Sequence, residues 1–126
     1  MSYSESYMAD WWRRAVRAKY NNKCAVCGSE EDDLEAHHVI KRSRILTRWD
    51  HRNGILLCLA CHREAHIDPV VKSQINGIVD IYHLSRMSKV TSKQYFAEAG
   101  ITKNKYYMTM LASNKHVARN YEGGEE

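Results

Sequence analysis

The first clear pattern along the chain is an apolar stripe near the N-terminus. Within residues 8–20, Met8, Trp12, Ala15 and Val16 recur at intervals of three and four, the period of an amphipathic α-helix. Arginines occupy the other side of the same segment. We expect a helix that packs on the rest of the domain through its stripe. Its basic face is either simply solvated, the commoner case, or contacts phosphate.

Two short segments further on predict a β-hairpin. Residues 34–40 (LEAHHVI) have strand character, and Asn53-Gly54 is a turn signal just before the apolar run at 55–57. The connecting loop, residues 41–52, carries five basic residues, and we expect its apolar Ile45, Leu46 and Trp49 to anchor it. A helix should follow, through His62 and His66, and stop before the only proline, Pro69.

Helical periodicity returns after this proline. Residues 70–85 predict one helix, and residues 92–99 and 102–112 predict two more, separated by Gly100. The last two resemble a helix-turn-helix in outline, although two short packed helices are the commoner arrangement. We expect an N-terminal part, residues 1–68, and a helical extension, residues 69–126, which is a candidate DNA-binding element.

Composition adds only mild constraints. The chain has 126 residues, a formal charge of +4 and a pI of about 8.9, which permits an anionic partner without requiring one. The first twenty residues are charged and contain no apolar run, and no stretch approaches the length of a membrane span. We therefore expect no membrane partner and a reducing, cytoplasmic location.

All four cysteines fall in two Cys-x-x-Cys pairs, Cys24/Cys27 and Cys58/Cys61. One pair could be redox-active and the other incidental, but a redox pair usually stands alone at a strand–helix junction. Two matched pairs on turns fit four thiolates around one zinc ion far better. The spacing predicts a structural Zn²⁺ that fixes the segment before the hairpin to the helix after it.

Histidines form a second constellation, interleaved with the cysteines. His62 and His66 are four residues apart on the predicted helix, so both imidazoles share one face and can chelate a single cation. The hairpin would bring His37 alongside. Three histidines that leave coordination positions open indicate a catalytic metal site. His37 and His38 are strand neighbours that face opposite sides, so we expect one to be a ligand and the other a free imidazole.

The order His37-His38, fourteen residues, Asn53, eight residues, His62, three residues, His66 resembles the HNH nuclease family. Together with the two cysteine pairs, and with LEAHHVI and NGILLCLACH, it is similar to the small zinc-stapled HNH endonucleases of bacteriophages and mobile elements. The resemblance covers about a third of the chain. It implies an α+β fold built on a ββα-metal (His-Me finger) core with a structural zinc held by four cysteines, an N-terminal helix and C-terminal helices.

The resemblance also implies a role for each matching position. His38 takes the place of the general base, and Asn53 braces the hairpin loop and holds the base in orientation. His37, His62 and His66 take the places of the ligands of one catalytic divalent ion. Relatives often have an aspartate at the position of His37. An all-imidazole site favours Zn²⁺, Ni²⁺ or Mn²⁺ over Mg²⁺, which prefers oxygen ligands.

The implied function is a metal-dependent DNA endonuclease that leaves 5′-phosphate and 3′-hydroxyl ends, in a bacterial or phage-infected cell. Arg42, Arg44 and Arg48 flank the base, so they are candidates for contact with DNA phosphates, although a solvated basic loop is the alternative. Two other functions remain open: an RNA-directed nuclease, and a non-catalytic zinc-ribbon DNA-binding or adaptor protein, in which His38 would be dispensable.

Overall fold

The structure, a computed structural model, describes residues 3–30 and 33–122. It is a mixed α+β fold with a small two-stranded sheet, as the sequence predicts. In chain order the elements are α1 (Glu5–Lys19), β1 (Glu35–His38), α2 (Ile45–Arg48), a 3₁₀ turn (His51–Asn53), β2 (Gly54–Leu57), α3 (Leu59–Ile67), α4 (Pro69–Ile78), α5 (Ile81–Ser88), α6 (Ser92–Ala99) and α7 (Lys103–Glu122).

β1 and β2 form an antiparallel hairpin, and α3 follows directly. In the strand register His37 lies opposite Ile55 and His38 lies opposite Gly54. All of β2 is buried, whereas β1 is exposed or half-buried. This β1–β2–α3 unit is the expected ββα arrangement, and its half-open strand carries both histidines.

α1 begins at Glu5, three residues before the apolar stripe, because the Ser4 hydroxyl accepts a hydrogen bond from the Tyr7 N–H and caps the helix. Its stripe is buried as predicted. α1 comes so close to β2 that a Cβ on Gly54 would overlap the Val16 side chain and lie 2.8 Å from the Trp12 ring. Glycine at this strand position therefore permits the contact between helix and sheet.

The segment expected to be a loop between the strands contains α2 and the 3₁₀ turn. Leu46 and Trp49 are buried and Ile45 is half-buried, so the three apolar anchors are confirmed. The short helix places Arg48 and Trp49 beside β1, and this decides the surroundings of His38.

The single helix predicted over residues 70–85 is wrong. α4 ends at Ile78, Val79 is extended with ψ 163°, and α5 starts again at Ile81. The Asp80 carboxylate accepts a hydrogen bond from the His83 N–H at 3.0 Å, which caps a new helix instead of continuing the old one.

α6, Gly100 and α7 follow the predicted helix–glycine–helix order. Gly100 has φ 68°, a left-handed conformation that ends α6, and the Thr102 hydroxyl accepts from the Lys105 N–H at the start of α7. α7 continues to Glu122, beyond the predicted end at residue 112. It packs against α1 and buries one face, formed by Tyr106, Tyr107, Leu111, Asn114 and Ala118.

The extension therefore shares a hydrophobic core with the N-terminal part. Tyr106, Tyr107 and Leu111 belong to the same buried cluster as Met8 and Trp12. The division at residue 68 stays a prediction. In the described part of the chain no helix combines the length and apolarity needed to cross a bilayer.

Candidate active site and zinc site

The four cysteine sulfurs, of Cys24, Cys27, Cys58 and Cys61, lie within 4.8 Å of one another. The Cys27 and Cys58 sulfurs are 3.7 Å apart. Zinc–sulfur bonds of about 2.3 Å in a tetrahedron require sulfurs about 3.8 Å apart, so the spacing fits Zn²⁺. This cluster is suited to a structural zinc ion.

Backbone hydrogen bonds build the two turns that carry these cysteines. The Gly28 N–H donates to the Cys24 carbonyl at 2.9 Å, and Gly28 has φ 80°, which a side chain would disfavour. The Ala25 N–H donates to the Leu56 carbonyl at 2.8 Å, which fixes the first turn to β2. Cys58 caps α3, so the second turn is the beginning of that helix.

The electrostatics of the thiols also fit a bound cation. Burial opposes ionisation of Cys24, but hydrogen bonds from the backbone at Cys27, Cys58 and Val26 outweigh it and lower its pKa to about 7. Burial and the neighbouring thiols raise the pKa of Cys61. Four thiolates in this space repel one another unless a cation compensates their charge.

The imidazoles of His37, His62 and His66 form the second cluster, and their candidate ligand nitrogens also lie within 4.8 Å of one another. The ring centroid of His37 is 4.8 Å from that of His62 and 5.6 Å from that of His66. β1 supplies His37, and successive turns of α3 supply the other two. Cys61 and His62 are adjacent on α3, yet each belongs to a different cluster.

The three imidazoles fit a borderline divalent metal. Burial and the neighbouring His62, His66 and His38 lower the pKa of His37 to about 4, so its ring is neutral at pH 7, the state that binds a metal. The Glu35 carboxylate lies 3.5 Å from His62 Nδ1. A carboxylate beside one ring nitrogen orients the other nitrogen toward a metal, as in many metal sites.

His38 faces the other side of β1 and is enclosed by two tryptophans. Its ring stacks on the Trp12 indole with centroids 4.0 Å apart and an angle of 12°. The Trp49 ring meets it edge-on, with centroids 5.7 Å apart. His38 Nε2 lies 2.8 Å from the Arg48 carbonyl oxygen. Because a carbonyl only accepts, Nε2 carries the proton and the lone pair remains on Nδ1.

Asn53 is fully buried and braces the connecting loop at both ends. Its Oδ1 accepts from the Ile40 N–H at 2.6 Å, and its Nδ2 donates to the carbonyls of Ile40 (3.0 Å) and Thr47 (3.1 Å). The backbone carbonyl of Asn53 also accepts from Val39 N–H at 3.0 Å. These bonds fix the loop that presents the Arg48 carbonyl to His38.

Both clusters, His38 and Asn53 lie between residues 24 and 68, and the family model described as HNH endonuclease matches these same residues. This segment is similar to HNH endonuclease domains, and we refer to it below as the HNH domain. Searches among curated proteins and among solved structures gave no significant match.

The three arginines near His38, the candidate general base, differ in their surroundings. Arg48 donates to the Arg42 carbonyl at 2.7 Å and to the Glu5 carboxylate at 3.2 Å. Its guanidinium is therefore already hydrogen-bonded to groups of the protein. Arg44 donates to the Ser88 carbonyl on α5. In the described structure Arg42 makes a cation–π contact with Trp49 at 5.2 Å and is otherwise exposed. Arg42 is therefore the most available of the three to a phosphate.

A cavity of about 420 Å³ opens between the HNH domain and α4. Its apolar wall includes Ala65, Ile75 and Ile81. Its polar groups come from His37, His38, Lys41, His66, Lys72 and Asn76. His38 thus lines the same cavity as two candidate ligands, although its ring packs against Trp12. α4 of the extension supplies part of the rim.

Sequence reasoning missed several of these neighbours. Glu35 could have been found, because alternation along a strand places it on the same face as His37, two residues away. Lys72 and Asn76 are four residues apart on α4, but only the position of α4 brings them to the cavity. The apolar stripe of α1 predicts that Trp12 is buried, but it does not predict that Trp12 contacts His38.

Proposed function

We propose that this protein is a metal-dependent DNA endonuclease of the small zinc-stapled type. The observation that carries the proposal is the separation of roles within the HNH domain. Three histidines cluster on one side of β1, while His38 lies on the other with its Nε2 occupied by a backbone carbonyl. A chain that only bound DNA would need neither the histidine cluster nor an imidazole held in one tautomer.

His38 is the general base in this proposal. Burial, together with the charges of Arg42, Arg48 and Arg13, lowers the pKa of His38, although the bond to the Arg48 carbonyl opposes this. The ring is therefore neutral near pH 7, with its lone pair on Nδ1. It takes a proton from a water molecule at Nδ1 as that water attacks phosphorus. The products are a 5′-phosphate and a 3′-hydroxyl.

Orientation of the base depends on its surroundings. The Arg48 carbonyl and the two tryptophan rings restrict rotation of the imidazole, and Asn53 holds the loop that carries Arg48. A base already in position loses little conformational freedom when the reaction begins.

His37, His62 and His66 would hold the catalytic ion. A divalent cation there supplies Lewis-acid stabilisation of the charge that develops on the phosphate. The all-nitrogen donor set favours Zn²⁺, Ni²⁺ or Mn²⁺ over Mg²⁺. Arg42 and the lysines at the rim of the cavity are positioned to attract flanking phosphates, which supports DNA as the substrate.

A supercoiled-plasmid cleavage assay tests this function. We expect the wild type to cleave in at least one of Mn²⁺, Ni²⁺, Zn²⁺ and Mg²⁺. His38→Ala should lower the rate by about 10²–10⁴, the usual contribution of a general base. His116→Ala is the matched control, because His116 is exposed on α7 and bonds only to Asn120 within the described residues.

Three outcomes would change the conclusion. Equal cleavage by the wild type and a folded His38→Ala variant would remove His38 as the base. Failure of the wild type to cleave with any of the four metals would favour the non-catalytic adaptor. Preferential cleavage of RNA in a mixture with DNA would favour the RNA-directed nuclease. End-labelling of the products checks the predicted 5′-phosphate.

A further inference from the structure

A cluster of cations and aromatic rings lies outside the HNH domain, where α1 packs on α7. We call it the α1–α7 patch and define it as Tyr7, Trp11, Arg14, Lys115 and Arg119. The Trp11 ring is its centre. Arg14 Cζ lies 3.9 Å from the ring centroid, Lys115 Nζ lies 5.3 Å away and Arg119 Cζ lies 5.4 Å away.

The patch is strongly positive for its size. In the described structure neither Lys115 nor Arg119 forms an ion pair with a carboxylate; both instead contact aromatic rings. Lys115 Nζ also lies 5.6 Å from the Tyr7 ring. The like charges of Lys115 and Arg119 beside one indole repel each other, and a polyanion would relieve this repulsion.

The patch is continuous with the candidate active site through α1. Trp12 faces His38, and successive helix residues are about 100° apart. The surface of α1 therefore passes from Trp12 through Arg13 and Arg14 to Trp11 on the α7 side. A surface depression of about 460 Å³ follows this face, lined by Tyr7, Asp10, Trp11, Arg13, Arg14 and Arg17.

We propose that the α1–α7 patch binds the phosphate backbone of duplex DNA to one side of the cleavage point. The inference rests on the proposed function and adds the path of the substrate beyond the HNH domain. A guanidinium stacked on an aromatic ring keeps its N–H groups at the ring edge, where they can donate to phosphate oxygens. The stack also holds the side chain in place before DNA arrives.

The geometry favours backbone contacts over stacking of bases. Single-stranded nucleic acid is usually bound by open aromatic faces on which bases stack. Arg14 lies directly over the Trp11 ring, at 3.9 Å from its centroid, so that face is occupied. The groups that the patch presents outward are cations, and these recognise phosphate in any sequence.

The test is a double variant, Lys115→Ala/Arg119→Ala, made in a His38→Ala background so that bound DNA stays intact. Affinity for a duplex of about thirty base pairs is measured by fluorescence anisotropy over a range of salt concentrations. We expect affinity to fall about tenfold at low salt, and the slope of log K against log salt to decrease by about two, one for each lost phosphate contact.

Lys93→Ala/Lys105→Ala in the same background is the matched control. Both lysines are exposed, and neither belongs to the α1–α7 patch or to the cavity of the HNH domain. This variant loses the same charge, so it measures the effect of net charge alone. The inference requires a clearly larger loss in the patch variant than in the control.

Other results would overturn it. An unchanged affinity and salt slope in the patch variant would remove the patch from the DNA path and leave the proposed nuclease function intact. A loss of affinity confined to single-stranded DNA would identify a strand-binding surface instead. Failure of the parent His38→Ala protein to bind duplex would also reject the inference, whereas plasmid cleavage by the wild type decides the nuclease function separately.

Discussion

At the scale of single residues, Gly54 connects the hairpin with α1. It lies opposite His38 in the strand register, and the rings and methyl groups of Trp12 and Val16 fill the space where a side chain would be. Any Cβ at this position must displace α1, and Trp12 on that helix stacks on the candidate base. One small side chain would thus disturb both packing and the candidate active site.

We predict that Gly54→Ala destabilises the protein by about 1–3 kcal/mol, the usual cost of overpacking a filled core. Its cleavage rate should fall by more than the unfolded fraction explains, because the stack on His38 is disturbed. Thermal unfolding and plasmid cleavage measure the two effects.

Gly77→Ala is the control for this substitution. Gly77 lies in α4, and a Cβ there would meet no atom within 4 Å, so alanine should be neutral or stabilise the helix by about 0.5–1 kcal/mol. If Gly54→Ala unfolds at the temperature of Gly77→Ala, the close approach of α1 to β2 is not a constraint.

Spacing in the sequence could place Asn53 and the histidines, but not all that surrounds them. The hydrogen bonds from Asn53 to Ile40 and Thr47 lie within the hairpin and its connecting loop. A sequence motif that spans the hairpin therefore predicts them. Trp12 meets His38 from 26 positions earlier in the chain. The apolar stripe that contains Trp12 predicts that one face of α1 is buried. It does not predict which residues that face packs against.

At the scale of elements, α3 contributes to both candidate metal sites. Its first turn carries Cys61, and the next residue, His62, belongs to the histidine cluster. A helix turns by about 100° per residue, so two adjacent side chains can point toward different ions. The two clusters should therefore be separable by substitutions at adjacent positions.

We predict that Cys61→Ser loses bound zinc and most of its folded structure. The apparent binding free energy of structural zinc in small domains is about 10–16 kcal/mol, as large as the stability of a whole domain. His62→Ala should keep the zinc of the cysteine cluster and the fold, and lose cleavage. Far-UV circular dichroism and metal analysis after purification distinguish the two variants.

A Cys61→Ser variant that stays folded without zinc would show that the cysteine cluster is dispensable for folding. Unfolding of His62→Ala would show that the histidine cluster is structural as well.

Prediction of elements from periodicity was least accurate at α4 and α5. Apolar residues continue at helical intervals through Ile75, Ile78 and Tyr82, which favoured one helix. In the structure Tyr82 is 73% exposed, so the apparent stripe is not a single buried face. The break between α4 and α5 is set by Asp80, which caps α5. In the sequence, a single aspartate within a helical pattern is a weaker signal than the apolar residues around it.

At the scale of the whole molecule, Glu5 joins the two ends of the chain to the HNH domain. Its carboxylate accepts hydrogen bonds from Trp49 Nε1 at 2.7 Å, from Arg48 at 3.2 Å and from the Tyr107 hydroxyl at 3.1 Å. The partners are 43 to 102 positions away along the chain. No sequence pattern links them, so the docking of α7 could not be predicted.

These hydrogen bonds of Glu5 should make the stability of the protein depend on pH. Burial alone would raise the pKa of Glu5, but the hydrogen bonds from Trp49, Tyr107 and Arg48 outweigh it and lower the pKa below its ordinary value of 4.5. The folded state therefore favours the ionised form. Its contribution to the free energy of unfolding is fully present above pH 4.5 and is lost as pH falls through the lowered pKa.

We accordingly expect Glu5→Gln to be less stable than the wild type at neutral pH, and the difference to shrink as pH falls below 4.5. Urea denaturation followed by tryptophan fluorescence measures it, since Trp49 is one of the partners. Glu98→Gln is the control, because Glu98 is exposed on α6 and bonds only to Gln94 on the same helix within the described residues. Any effect of pH on the cysteine cluster is common to every variant, so the difference between variants isolates Glu5. A gap that stays constant across this pH range would mean that the Glu5 carboxylate does not fasten α7 and α1 to the HNH domain.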